Sequence, residues 1–206
     1  MKAFFQVHHG KRYKDTKTLI MSESTYDWKD KRGQWNKPKQ DLPKWSVEDG
    51  YGSKKPAYIQ AMSRALCNKI SPTEAEKKKA WERFSYWVYV QQSVGKTWLK
   101  RPTNVHWNEA KGTFLDMLEE ERPERVIVTG LQMWERMPDA VVMLHKDLQA
   151  FQLKDSKTLV WCLAIPHPSA RKPRFYWKVV SLQIEAFVQT KFPRDVSSMK
   201  YRIGEN

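Results

Sequence analysis

The chain has 206 residues, 40% of them hydrophobic, which is enough for one domain with a substantial core. Its mean hydropathy of -0.75 and the lack of any run of roughly 18 to 20 apolar residues exclude a membrane span; its two cysteines, Cys67 and Cys162, are too few for a zinc ribbon or a four-cysteine iron–sulfur site and point to free thiols in a cytoplasmic protein. The formal net charge of +14 favours a polyanionic partner through counterion release, nucleic acid before an anionic membrane surface, although lysines also serve solubility alone.

Near the N-terminus, the apolar patch in "MKAFFQVHHG" is too short for the core of an export signal. In "KTLIMSESTYDW" the apolar run from Leu19 to Met21 gives way to small polar residues, which predicts a buried strand ending in a loop. Residues 28–56 are rich in Lys, Trp, Gly and Pro and lack periodicity. They predict a long basic, aromatic-rich insertion, and loops beyond about 12–15 residues are unusual unless functional. Several of the ten tryptophans fall in such basic segments, where an indole can stack on a base or cover apolar ground.

Ser71-Pro72-Thr73-Glu74 reads as a helix start, with Ser71 as the cap, Pro72 at the first helical position and Glu74 completing a capping box. That helix is expected to run to about Gln92. A second helix follows in "RPTNVHWNEAKGTFLDMLEEERPE", where Trp107, Ala110, Phe114 and Leu118 share one face and Pro123 ends it. "RVIVTG" predicts a strand from Arg125 to Thr129 closed by Gly130, "AVVML" a short strand near 140–144, and "TLVWCLAI" a further buried strand. "YWKVVSLQIEAFVQ" sets Val180, Ile184, Phe187 and Val188 on one face of a last helix. Strands separated by helical patterns predict an α/β fold: one domain over residues 1–206, built as a three-layer α/β/α sandwich around a mainly parallel sheet of about four strands. In such a sheet ligands sit beyond the carboxyl ends of the strands, so the loops "SESTYD", "TGLQMW" and "PHPSAR" are expected to converge.

Pro166 and Pro168 restrict the backbone around His167. Ser169 and the N–H groups beyond it can grip a phosphate, and Arg171, Lys172, Arg174 and Lys178 add four cations. A fixed imidazole beside a phosphate clamp suits chemistry on a nucleotide; the same residues also describe a histidine that only shapes a turn. In the first loop Glu23 and Asp27 are carboxylates able to orient water or to stabilise a cationic sugar, and an ordinary polar turn accounts for the same residues. His8, His9, His106 and His145 have no metal-ligand spacing with carboxylates or cysteines, and neither a Gly-rich phosphate loop nor a G-x-S-x-G elbow occurs, so no metal or cofactor is expected.

"LIMSESTYD" and "IPHPSA", with "RVIVTG" between them, resemble the uracil-DNA glycosylase superfamily. In that family a first-strand loop of the type Gly-Gln-Asp-Pro-Tyr-His or Gly-Glu-Ala-Pro-Gly carries the water-activating group, and a late strand ends in His-Pro-Ser. The resemblance spans residues 18–190 as architecture and about fifteen residues as motif. It implies base flipping and cleavage of the N-glycosidic bond by a monomer acting on DNA. His167 would donate a hydrogen bond to the departing base. Ser24 stands where the acting aspartate would be, which leaves Glu23, or else Asp27, as the assisting carboxylate. Tyr26, with Trp87 or Val88, would wall the base pocket. Ser22, Ser24 and Ser169 would hold phosphates, while Arg171, Lys172 and Arg174 would track the backbone or fill the gap left by the flipped nucleotide. The family reads uracil with an asparagine that "RFSYWVYVQQ" lacks. The expected substrate is therefore a damaged or modified base, such as a hypermodified pyrimidine of foreign or phage DNA. A non-catalytic nucleic-acid-binding module, or a different α/β hydrolase or nuclease using His167 and Glu23, are the other readings.

Overall fold

The computed structural model describes residues 3–29, 32, 34–48, 57–96, 100–154, 156–170 and 176–199. Its frame is one seven-stranded sheet in the order β1-β5-β2-β6-β9-β8-β7. The strands are β1 (His8–His9), β2 (Thr18–Ser22), β5 (Ser85–Val88), β6 (Arg125–Thr129), β7 (Val142–His145), β8 (Leu148–Gln152) and β9 (Leu159–Ile165). A separate two-stranded ladder joins β3 (Trp28–Lys29) to β4 (Trp35–Asn36). The sheet is thus wider than the expected four strands. Its parallel centre is β5, β2, β6 and β9. The antiparallel edges β1, β8 and β7 widen it.

The centre is built from runs apolar on both faces, as a sheet covered on both sides demands. Alternate side chains go to opposite faces. Leu19, Met21, Val126, Val128, Val160 and Cys162 join Trp107, Ala110, Phe114 and Leu118 of α4 (Asn104–Glu121). Ile20, Ile127, Leu159, Trp161 and Ile165 join the other face. There they meet Val47 of α1 (Leu42–Glu48), Ile59 and Met62 of α2 (Ala57–Cys67), Trp81 of α3 (Glu74–Trp81), and Val180, Ile184 and Phe187 of α6 (Trp177–Gln189). The short α5 (Leu131–Trp134) follows β6 directly. No helix among the described residues is long and apolar enough to cross a membrane.

Two expectations about the first long helix fail. Its cap is Thr73, not Ser71: Thr73 Oγ1 accepts from Glu76 N at 3.3 Å, and Glu76 Oε2 accepts from Thr73 N at 2.9 Å. The helix also stops at Trp81, because "SYWV" is a run of aromatic and β-branched residues that fits the buried strand position β5. Within residues 28–56, part of which is described, there is order that periodicity did not reveal, namely the β3–β4 ladder and α1. Helix α4 ends as expected: Arg122 takes the left-handed conformation at φ 45° just before Pro123.

Candidate functional site

The carboxyl ends of the parallel strands open into a cavity of about 800 Å³, a size typical of small-ligand sites. All three loops singled out in the sequence reach it: Ser22 to Asp27 after β2, Gly130 to Gln132 after β6, and His167 to Ala170 after β9. Tyr86 and Val88 of β5, Tyr58 of α2, Trp45 of α1, and Arg101 also line it.

The β2 loop is tied down by backbone pairing with the segment after β5. Tyr89 N donates to Ser22 O (2.8 Å), Val90 N to Glu23 O (2.9 Å), Val94 N to Thr25 O (3.1 Å) and Asp27 N to Gly95 O (2.9 Å). Glu23 is only 3% exposed. Its Oε2 accepts from Arg101 Nη2 at 2.7 Å, and Ser24 Oγ lies 3.5 Å from Oε1. Burial raises the Glu23 carboxyl above its ordinary range, and the Arg101 charge and hydrogen bond oppose that rise. Asp27 lines the same cavity, and its Oδ1 is buried without a hydrogen-bond partner. Ser24 and Tyr26 are partly buried in the lining.

His167 is fixed on three sides. Its Nδ1 accepts the backbone N–H of Ser169 at 3.1 Å. Its ring centroid lies 5.7 Å from that of Tyr58. Its Cδ2 sits over Gly130, where an added Cβ would stand 3.6 Å away. Gly130 holds φ at 139°, a conformation open to glycine and strained for other residues. Burial, helped by the nearby Arg101 charge, pushes the imidazole down to about 4. At neutral pH the ring is therefore uncharged, and because Nδ1 is an acceptor its single proton is on Nε2. Nε2–H has no partner among the described residues, so it is a donor left for a ligand.

The tyrosines form the floor. Tyr86 Oη and Ser22 Oγ share a hydrogen bond of 2.7 Å, and Tyr58 Oη and Thr129 Oγ1 one of 3.1 Å. Thr129 Oγ1 donates in turn to Met21 O at 2.9 Å. Burial raises both phenols, Tyr86 to about 12, so both remain neutral donors.

The chain matches no protein-family model and no curated protein at a significant level.

Several expected residues sit elsewhere than the sequence suggested. Trp87 is 0% exposed and lies on the sheet face opposite the cavity, where its Nε1 donates to Phe5 O at 2.9 Å. The strand alternation gives its expected place to Tyr86, with Val88 on the same face. Ser22 is buried and engaged with Tyr86, so its hydroxyl positions that ring instead of meeting a phosphate. The Ser169 N–H is taken by His167, which leaves its exposed hydroxyl on the cavity rim. Arg171, Lys172 and Arg174 lie outside the described residues. Sequence reasoning missed Arg101, Gln132, Tyr58 and Tyr86. Only Tyr86 had a usable signal, the two-residue period of "SYWV". Among the described residues no three His, Cys, Asp or Glu side chains cluster as metal ligands would.

Proposed function

We propose that the protein is a monofunctional DNA glycosylase that excises a damaged or modified base and leaves an abasic site. The observation that carries this reading is the pairing, in one cavity, of a neutral imidazole with a free Nε2–H and a buried carboxylate braced by arginine. Breaking an N-glycosidic bond sends the electron pair to the base and leaves a cationic sugar. His167 Nε2–H meets the negative charge as it develops on the base, without having to shed or gain a proton first. The Glu23 carboxylate faces the opposite charge: it stabilises the sugar cation or orients the water that adds to it and then loses its proton. Tyr58 and Tyr86 supply aromatic surface for a flipped base. The basic surface, with its charge of +14, brings DNA to the mouth.

The uracil-reading asparagine of the resembled family has no counterpart at Val88, and a cavity of about 800 Å³ leaves room for a base larger than uracil. A modified pyrimidine is therefore the preferred substrate class. Ser24, standing at the family's aspartate position, favours a second reading, a binding module without base release. One experiment separates them: incubation with DNAs carrying uracil, alkylated, oxidised, hydroxymethylated or glucosylated bases, followed by a probe for alkali-labile sites. Release from one of these, reduced strongly in His167→Ala with DNA binding retained, is expected. Tight binding with no release from any substrate favours the second reading.

A further inference from the structure

Arg101 stands just ahead of α4, where Pro102 and the capping residue Thr103 fix the chain. Its side chain is 46% exposed, whereas that of its partner Glu23 is 4% exposed. Nη2 donates to Glu23 Oε2 at 2.7 Å and to Gln132 Oε1 at 2.6 Å, which uses both of its N–H groups. One guanidinium nitrogen thus ties the β2 loop to the β6 loop. Nη1 and Nε have no partner among the described residues, and the residue borders the cavity. A planar cation that is anchored at one nitrogen and free at the others, at the entrance to a site, matches the geometry by which arginine takes phosphate oxygens.

We propose that Arg101 binds a phosphodiester of the incoming strand through Nη1 and Nε while Nη2 holds Glu23 in place, so that one side chain serves both substrate capture and carboxylate positioning. This rests on the glycosylase reading for the identity of the substrate. Its positioning half has a direct consequence. The titratable groups lining the cavity with Glu23 are Tyr26, Asp27, Tyr58, Tyr86, Arg101 and His167, and Arg101 supplies the cation that offsets burial of the carboxylate. Without it Glu23 holds its proton to higher pH, and His167, which the same charge holds down, takes one up at higher pH too.

The test uses the full chain as wild type, Arg101→Gln, Arg101→Lys and Glu23→Gln. The binding half is read from the affinity for a labelled single-stranded oligodeoxynucleotide across a salt series. Arg101→Gln should flatten the slope of log K against log salt by about 0.7, the loss of one phosphate contact to a single strand. Arg101→Lys and Glu23→Gln should keep the wild-type slope. The positioning half is read from base release against pH. Arg101→Gln should move the acid limb up in pH and regain activity in alkali, with Arg101→Lys closer to wild type. A wild-type salt slope in a folded Arg101→Gln variant overturns the capture role. An unmoved acid limb overturns the positioning role. If the wild type binds DNA with the expected slope change but releases no base, the glycosylase reading fails and the phosphate site stands.

Discussion

Acidifying the protein forces a charge onto an imidazole that the fold keeps neutral, and the cost can be worked out. His167 titrates near 6.5 in an unfolded chain and at about 4 in the folded one, because it is desolvated and faces Arg101. Above pH 6.5 neither state is charged and the residue adds no pH dependence. Between 6.5 and about 4 the unfolded chain takes up a proton that the folded one refuses, so stability falls as pH falls. At roughly 1.4 kcal/mol per pH unit the full loss is about 3 kcal/mol. For a chain of this size that corresponds to about 6–12 °C in Tm. Carboxylates titrate over part of the same range, so the informative quantity is the difference between wild type and His167→Gln, which stays neutral. Denaturant unfolding of both proteins from about pH 7.5 down to about pH 4 should show wild type losing about 3 kcal/mol more than the variant. Parallel curves would mean that His167 is as hydrated as a surface histidine, and the case for an uncharged Nε2–H donor would fall.

Gly130→Ala should cost about 1–3 kcal/mol, because φ at 139° strains any residue with a Cβ; thermal melts would read it, and an unchanged Tm would show that the loop relaxes freely. Glu23→Gln keeps the volume and an acceptor for Arg101, so base release should drop roughly 10²- to 10⁴-fold with DNA affinity little changed, as single-turnover and binding assays would report. Trp87→Ala should destabilise by about 3–5 kcal/mol without altering which base is chosen. Tyr86→Phe should cost about 1 kcal/mol for its hydrogen bond to Ser22 and leave the stacking surface intact. A change of substrate preference in the Trp87 variant alone would contradict the face assignment of β5.

The parallel centre was legible because β2, β6 and β9 are unbroken apolar runs that end in polar loops, a pattern long enough to name the strands and short enough to exclude helices. Those strand ends in turn named the loops that carry Glu23, Gly130 and His167. Of the antiparallel edge strands, only β7 was legible, in "AVVML". "LQAFQ" and "HH" are too short and too polar to signal β8 and β1, and their pairing is dictated by the neighbouring strand. The segment from Arg83 to Val90 was misread because a strong helix start at residues 71–76 was extended through aromatic residues that burial claims for β5. Arg101 was invisible for a different reason. It is one cation among 37, and what distinguishes it is a partner 78 positions away in sequence. Side chains that act across loops leave no periodic trace. The histidine was the opposite case, since the two flanking prolines announced a fixed backbone before any contact was known.

The account rests most heavily on His167 and Glu23 acting together on a glycosidic bond. The most direct measurement is single-turnover base release from the best modified-base DNA by wild type, His167→Ala, Glu23→Gln and the double variant. The account predicts alkali-labile sites with wild type, a loss of roughly 10² or more in each single variant and DNA binding kept in all four. Base release that survives in the double variant, or none from any modified DNA by wild type, would contradict it.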